Sequence, residues 1–179
     1  MARINKVVYD QSKVDWEYFR CPGKKVKYFQ PTPEKLNHVS NVLMHGYLNL
    51  SDENRKPEII SKLLGYYFGN LPGNFNMFYE LGNFDGILGL TNITIGFKSD
   101  IIYKFWGKFN HKLFREIREL LDRTMTEFDL KRLTAATPDE KVKKLAKNLG
   151  FVVDGTQKYG FSWNNRLYTN NLMRMLREV

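Results

Sequence analysis

Two lysines, Lys108 and Lys112, stand at the predicted start of a long amphipathic helix, in the stretch "GKFNHKLF" (107–114). The first turn of a helix has free backbone N–H groups and the positive end of the helix dipole, so it attracts anions and disfavours cations. Two lysines at such a position therefore favour a bound anion such as a phosphate. The alternative interpretation is that both are ordinary solvated residues at a helix start.

Other kinds of site chemistry find little support in the residue pattern. Cys21 is the only cysteine, so no internal disulfide can form, and this fits a reducing compartment. The three histidines, His38, His45 and His111, lack the cysteine or carboxylate spacing that is typical of a metal site. The sequence contains neither a nucleophile elbow nor a Walker loop. These observations leave the two lysines as the clearest sign of a ligand.

The composition indicates a folded, basic protein. The chain has 179 residues, 42% of them hydrophobic, which suits one domain with a core of its own. Its formal net charge of +9 is spread along the chain, so we expect a folded surface that faces phosphates and weak electrostatic binding of nucleic acid. No apolar run approaches the roughly 20 residues of a membrane helix, and the N-terminus shows no secretory signal, so we expect a cytoplasmic protein.

The hydrophobic period changes several times along the chain, between the spacing of helices and that of strands. The most informative part is a run of three strands with short turns, which predicts an antiparallel meander. Before the meander, the predicted elements are a strand at 24–30, a helix that Thr32 caps, a helix at 57–68 and a loop at 69–74. The meander has strands at 75–81, 87–95 and 101–106, with turns at 82–86 and 97–100. After it come a long helix with an apolar stripe from Phe109 to Phe128, a strand at 130–137, a short helix that Thr137 caps and Gly150 ends, and strands at 151–159 and 166–176.

The order of these elements and one local motif resemble the GNAT superfamily of acyl-CoA-dependent N-acyltransferases. The motif is "KKLAKNLGFVVDG" (143–155), a short helix that runs through a Leu-Gly-Phe junction into a strand, followed by "RLYTNNLMRML" (166–176). The resemblance covers residues 24–176. It implies an α/β (α+β) fold with a mixed, mostly antiparallel sheet and helices on both faces. It also implies a single domain at 24–179, preceded by an N-terminal extension at 1–23.

The resemblance implies acetyl-CoA as the acyl donor. Its pantetheine would insert where the strands at 101–106 and 130–137 diverge, and its pyrophosphate would sit on the N-terminus of the long helix. In the usual loop of the family two positions hold small residues; here Lys108 and Asn110 occupy them, and only Gly107 remains nearby. The implied cofactor-binding residues are Tyr103, Lys104, Phe105, Trp106, Lys108, Asn110, His111 and Lys112.

The resemblance also implies the reaction, which is transfer of an acetyl group to a primary amine by direct attack on the thioester. Glu80 and Asp100, on the predicted meander, are the candidates for a general base. Ala146 occupies the position where many members carry a tyrosine as general acid, and Tyr168 is a candidate to replace it. The simpler interpretations are that Glu80 is solvated, that Asp100 caps a turn and that Tyr168 packs in the fold.

A second hypothesis is a GNAT-like structural or binding module without catalysis. The missing loop glycines and Ala146 support it. Such proteins occur among bacteriophage-encoded and virion-associated proteins, where the module would have a protein partner, and the composition is compatible with that origin. A third hypothesis, a basic nucleic-acid-binding domain, rests on charge alone.

Overall fold

The fold is a mixed seven-stranded sheet with helices on both faces, as the sequence predicted. The computed structural model describes residues 14–69 and 75–177. The strand order is β1-β2-β3-β4-β5-β7-β6, in which only the β4–β5 pair is parallel. The strands are β1 (Val26–Tyr28), β2 (Met77–Leu81), β3 (Gly86–Thr94), β4 (Lys98–Phe105), β5 (Arg132–Thr137), β6 (Val152–Trp163) and β7 (Arg166–Leu176).

Five α-helices and one short 3₁₀ helix cover this sheet within the described residues. The helices are α1 (Trp16–Arg20), α2 (Pro33–His45), α3 (Pro57–Phe68), α4 (His111–Glu127) and α5 (Glu140–Asn148), and the 3₁₀ helix spans Asp52–Asn54. One core cluster packs α1, α4 and α5 against one face of the sheet, and a second packs α2 and α3 against the other. The sheet therefore separates two helical layers.

The long helix α4 has the predicted apolar stripe. Leu113, Ile117, Leu120 and Leu121 are all buried, because residues three and four apart lie on one side of a helix. The helix is shorter than the stripe suggested, because Asn110 caps its N-terminus; Phe109 and Phe128 lie just outside the two ends.

Three local predictions were wrong. The turn expected at 97–100 lies at 95–97, and Lys98–Asp100 is already part of β4. The predicted cap Thr137 is the last residue of β5, and the N-cap of α5 is Asp139, whose carboxylate accepts hydrogen bonds from the N–H groups of Lys141 and Val142. The strand expected at 151–159 continues to Trp163, because β7 pairs with it up to the hairpin turn.

The Leu-Gly-Phe junction was predicted correctly. Gly150 follows α5 with a φ of +105°, a left-handed conformation that glycine adopts without a side-chain clash. Its neighbours Leu149 and Phe151 are both buried in the core that α4 shares with α5. The junction thus fixes the angle at which β6 leaves the helix.

Part of the segment before residue 24 belongs to the packed structure. Phe19, on α1, is 2% exposed and lies in the same core cluster as α4. The domain boundary at residue 23 stays a prediction, since residues 1–13 lie outside the described part of the chain. The predicted loop at 69–74 also lies outside it, apart from Gly69.

Among the described residues, no helix is both long enough and apolar enough to cross a membrane.

Candidate cofactor and acceptor site

The strands β4 and β5 pair only at their first residues and then separate. The parallel register joins Lys98 with Arg132 and ends where Asp100 meets Thr134. Beyond that point β4 continues to Phe105 and β5 to Thr137 without further pairing between the two strands. The predicted divergence is therefore present, and the edge of β4 that faces β5 has no strand partner over residues 101–105.

A cavity of about 300 Å³ occupies this gap. Its walls come from both helical layers, since Leu121 and Leu145 lie on α4 and α5 whereas Tyr47 and Asn49 belong to the connection between α2 and α3. Most of its lining is apolar, as is usual for a ligand pocket. The gap is thus an opening that reaches from one face of the sheet to the other.

The wall of this cavity contains a buried acceptor without a partner. Oδ1 of Asn170, on β7, has no hydrogen-bond partner among the described residues. Buried polar atoms are nearly always hydrogen-bonded, and an unpaired one costs about 1–3 kcal/mol. An amide N–H of a bound molecule would satisfy this oxygen.

A second cavity lies beside the gap, on the face that carries α2. It is lined by Asn41, Val42 and His45 of α2, by the end of β4 and by Asp139. The two cavities have six lining residues in common, so they share one boundary: Tyr47, Asn49, Tyr103, Lys104, Asp139 and Val142. We call the first the gap cavity and the second the outer pocket.

Lys104 stands at this boundary. Its Nζ donates a hydrogen bond of 2.6 Å to the carbonyl oxygen of Asn49, and it makes no ion pair among the described residues. Burial lowers the pKa of Lys104 to about 8, with the carboxylate of Asp139 acting in the opposite direction. Its neighbour Tyr103 also lines both cavities, and burial raises the pKa of that tyrosine.

A basic groove of about 710 Å³ lies on the other face, between the start of α4 and one side of α5. His111, the first residue of α4, lines it opposite Lys141 and Lys144 of α5. The first turn of α4 contains no acidic residue, and Lys112 in that turn is exposed. The groove therefore combines a helix N-terminus with several cations, an arrangement that suits a phosphorylated ligand.

The loop before α4 is tightly held. Oδ1 of Asn110 accepts a hydrogen bond of 2.9 Å from the N–H of Leu113, so one N–H group of the helix start is already satisfied. Gly107 lies directly against the side chain of Asp85, where any Cβ would collide with the carboxylate. The N–H groups of Trp106 and Gly107 both donate to the carbonyl oxygen of Asp85. Glycine at position 107 therefore allows the backbone to lie close to the Asp85 side chain.

The remaining aromatic residues of this segment lie around the outer pocket. Phe105 and Trp106 line that pocket, and Nε1 of Trp106 donates to the carbonyl oxygen of Phe84 at 2.7 Å. The exposed Lys108 lies in the loop, two residues after Trp106 of the outer pocket and one residue before Phe109 of the groove.

The two candidate bases lie on the face that carries α2 and α3, and neither lines the cavities described above. Glu80 forms an ion pair with Lys35 of α2. Asp100 accepts hydrogen bonds from the hydroxyl of Thr134 and, at 2.9 Å, from Nδ2 of Asn92. Asp100 therefore sits at the point where β4 and β5 begin to separate.

Tyr168 lies on β7, outside the lining of the gap cavity, and is close to Tyr47. Desolvation raises the pKa of Tyr47, and the hydroxyl of Tyr168 raises it further. Tyr47 lines both cavities, so it is the tyrosine of this pair that faces the site.

The β6–β7 hairpin is fastened to the 3₁₀ helix. The carboxylate of Asp52 accepts hydrogen bonds of 2.9 and 3.0 Å from the N–H groups of Asn164 and Asn165, whose left-handed φ angles form the hairpin turn. Trp163 packs edge-on against Tyr47, with ring centroids 4.9 Å apart. The hairpin is thereby held beside the connection that walls the gap cavity.

Several residues of this site were missed in the sequence. Tyr47, Asn49 and Asn170 reach it through contacts between distant segments, which leave no local pattern. Lys141 and Lys144 carried a usable signal, because residues three apart on a short helix lie on the same side. Within the described residues, no group of three His, Cys, Asp or Glu side chains could hold a metal ion.

Solved acetyltransferases share this fold. The structure of spermidine N-acetyltransferase from Vibrio cholerae in complex with CoA and spermine superimposes with a TM-score of 0.65 at 16% identity, over 86% of this chain and 96% of that chain. A K23-Q34 chimera of spermidine N-acetyltransferase SpeG from Vibrio cholerae and hSSAT gives 0.63 at 17% identity, over 86% and 96%. A probable acetyltransferase gives 0.60 at 16% identity, over 87% and 95%.

The chain has the GNAT fold that its sequence resembled. No protein-family model matches the chain, and a comparison with curated proteins finds no match in sequence. The likeness is one of structure; at 16–17% sequence identity it shows the fold and not the activity.

Proposed function

We propose that this protein is an N-acetyltransferase that transfers the acetyl group of acetyl-CoA to a primary amine. The observation that carries the proposal is the gap cavity, which shares six lining residues with the outer pocket beside α2 and one, Leu145, with the basic groove beside α4 and α5. A donor and an acceptor that bind on opposite faces of the sheet could meet in this opening. The neighbours named above, which include a complex with CoA, support the same assignment.

The described residues fit acetyl-CoA at three places. The cations Lys108, Lys112, Lys141 and Lys144, with His111, would hold its phosphates at the groove. The unpaired edge of β4 at 101–105 would hydrogen-bond its pantetheine, and Oδ1 of Asn170 would accept an amide N–H. When bound, acetyl-CoA supplies an activated acetyl group as a thioester.

The chain contributes positioning, exclusion of water and electrostatics. The apolar wall around Leu121, Leu145 and Phe151 would keep bulk water from the thioester. A backbone N–H of β4 near Tyr103 would stabilise the oxyanion that develops at the carbonyl. The N–H of Trp106 is already engaged by Asp85, so the donor lies earlier in the strand.

Proton transfer has four candidate groups. Glu80 and Asp100 are the predicted bases, and Tyr168 is the predicted acid. Asp139 joins them because it is the one carboxylate, among the described residues, that lines both cavities. Removal of a true base should lower kcat and change its pH dependence, whereas a structural carboxylate should mainly change stability.

The acceptor is proposed to be a primary amine that enters through the outer pocket. Spermidine is the first amine to test, because the first neighbour acts on it. The outer pocket contributes Asp139 to its wall, but also Lys104 and His45. A mixed set of charges would accept a monoamine at least as readily as a polycation, so a short monoamine belongs in the same panel.

A titration with acetyl-CoA tests the proposal. Binding should raise the free energy of unfolding by about 2.7 kcal/mol at a hundredfold excess over Kd. Release of free thiol that depends on the added amine should then follow. Absence of both a thermal shift and a calorimetric signal at millimolar acetyl-CoA would refute the proposal and leave a GNAT-like binding module. Binding without amine-dependent release would refute the catalytic part alone.

A further inference from the structure

Lys104 lies where the gap cavity meets the outer pocket, which is the proposed place of the reaction. It lines both the gap cavity and the outer pocket, and its hydrogen-bond acceptor, Asn49, lines both as well. The position of Nζ is therefore fixed at the boundary where donor and acceptor would meet. Among the described residues that line the gap cavity, no other side chain is an amine.

The partners of this ammonium are few. Its Nζ donates a hydrogen bond to one carbonyl oxygen, that of Asn49, and no carboxylate lies within ion-pairing distance among the described residues. Two other lysines beside the sheet differ: Lys35 of α2 is paired with Glu80, and Lys98 of β4 lies 3.9 Å from Asp100. A cation held by a single backbone dipole is poorly compensated for the loss of water.

We propose that Lys104 is itself acetylated by acetyl-CoA bound in the gap. This inference rests on the proposed function, because the acyl donor must occupy the gap cavity. The lone pair of the neutral Nζ attacks the thioester carbonyl, a C–N bond forms and the C–S bond breaks. The sulfur leaves as a thiolate and takes up the proton that nitrogen loses, so the products are an amide and the free thiol of CoA.

The ionisation of Lys104 favours this attack. With its pKa lowered to about 8, the neutral fraction near pH 8 exceeds that of a solvated lysine by roughly a hundredfold. The titratable groups that line the same cavities are His45 from α2, Tyr47 from the following connection, Tyr103 on β4 and Asp139 before α5. Of these, Asp139 opposes loss of the proton, and burial nevertheless prevails.

Acetylation of Lys104 would change the boundary between the gap cavity and the outer pocket in two ways. The amide has no charge, and its methyl group would occupy part of the boundary between the two cavities. An amide does not return its acyl group to an amine under mild conditions, so the modification would block the acceptor side once formed.

Mass spectrometry tests the inference on the intact protein. The folded chain is incubated with acetyl-CoA at pH 8, without any acceptor amine, and digested for peptide mapping. We expect one acetyl group per chain, on Lys104, at a rate at least tenfold above that of exposed lysines such as Lys108. Lys104→Arg should remove this modification, and Lys104→Met serves as a second variant if the first folds poorly. Lys27→Arg, an exposed lysine on β1, is the matched control and should be modified like the wild type.

The alternative outcomes are distinct. If the acetyl groups are spread over surface lysines at the rates found for the chain unfolded in denaturant, the inference is overturned. If the wild type binds acetyl-CoA in calorimetry but Lys104 gains no acetyl group, the inference fails and the proposed function stands. If acetyl-CoA does not bind at all, both fail.

Discussion

The side-chain oxygen of Asn110 accepts a hydrogen bond of 2.9 Å from the N–H of Leu113, and so closes the first turn of α4 from within the chain. The same turn is the proposed site of the pyrophosphate. A bound phosphate and the Asn110 cap would therefore compete for one N–H group.

The first prediction follows from this competition. Asn110→Gly should lower the free energy of unfolding by only a few tenths of a kcal/mol, since glycine is a tolerable N-cap, whereas Asn110→Ala should cost about 1 kcal/mol. Acetyl-CoA should bind the glycine variant as tightly as the wild type or more tightly, because the N–H of Leu113 becomes available. Chemical denaturation and calorimetry on the three proteins measure both effects. A clear loss of affinity in the glycine variant would mean that the Asn110 side chain itself holds the ligand.

The second prediction concerns the cations at the groove. Lys108→Ala and Lys112→Ala should each weaken acetyl-CoA binding about tenfold, because a charge-assisted hydrogen bond to phosphate contributes roughly 1.5–3 kcal/mol. Their thermal stability should stay within about 0.5 kcal/mol of the wild type, because both lysines are exposed.

The matched control for this prediction is Lys27→Ala, which removes one positive charge from an exposed position on β1. Its affinity should be unchanged at physiological salt. Equal losses in all three variants would indicate a general effect of net charge and no local phosphate site.

The third prediction uses the ionisation of Lys104. Its pKa is lowered to about 8 in the folded protein from the ordinary value of 10.5, so between pH 8 and 10 the unfolded chain binds more protons than the folded chain. The free energy of unfolding should therefore rise with pH in this window, by about 2 kcal/mol in all. Above pH 10 the raised pKa values of Tyr18 and Tyr67, both about 12, act in the opposite sense.

Lys104→Met isolates this contribution. The difference in unfolding free energy between wild type and variant, measured by urea denaturation at pH 7, 8, 9 and 10, should change in favour of the wild type across the window. A difference that does not depend on pH would contradict the lowered pKa of Lys104.

The fourth prediction concerns the two hydrogen bonds from the N–H groups of Asn164 and Asn165 to Asp52, which we call the clasp between the hairpin and the 3₁₀ helix. The hydrogen bond that Asp52 accepts from the N–H of Asn165 is the main reason that the pKa of Asp52 lies below its usual range. The clasp should therefore be intact above the unfolded pKa of an aspartate, near 4, and should weaken as the pH falls through the lower folded value. Asp52→Asn should speed hydrogen exchange at the amides of Asn164 and Asn165 at neutral pH. Unchanged exchange there would show that the turn holds without the carboxylate.

Much of the fold could be predicted because it is encoded in local patterns. The apolar stripe of α4 and the glycine stop at Gly150 each depend on residues within a few positions of one another. The N-cap of α5 was predicted wrongly, because the residue types of Thr137 and Asp139 both suit an N-cap. Thr137 pairs with Asn171 of β7 and so belongs to β5, which leaves Asp139 as the cap.

The candidate site was predicted only in part. The stretch 103–112 could be proposed because a resemblance fixed its position after a strand and before a helix. The boundary between the two cavities could not, because Asn49 and Asp139 come to Lys104 from segments far apart in the chain. The lowered pKa of Lys104 depends on burial, and the burial of one lysine cannot be predicted from the sequence around it.

The position of β7 between β5 and β6 has a consequence for how the protein is made. As the chain leaves the ribosome, β1 to β4 can assemble in the order of synthesis, but β5 acquires its second neighbour only when residues 166–176 have emerged. Until then β5 presents an open edge, and such edges recruit other chains. We therefore expect β7, which is translated after β5 and β6, to protect the nascent protein from aggregation, and slow translation of residues 166–176 should lower the yield of folded product more than a similar delay earlier.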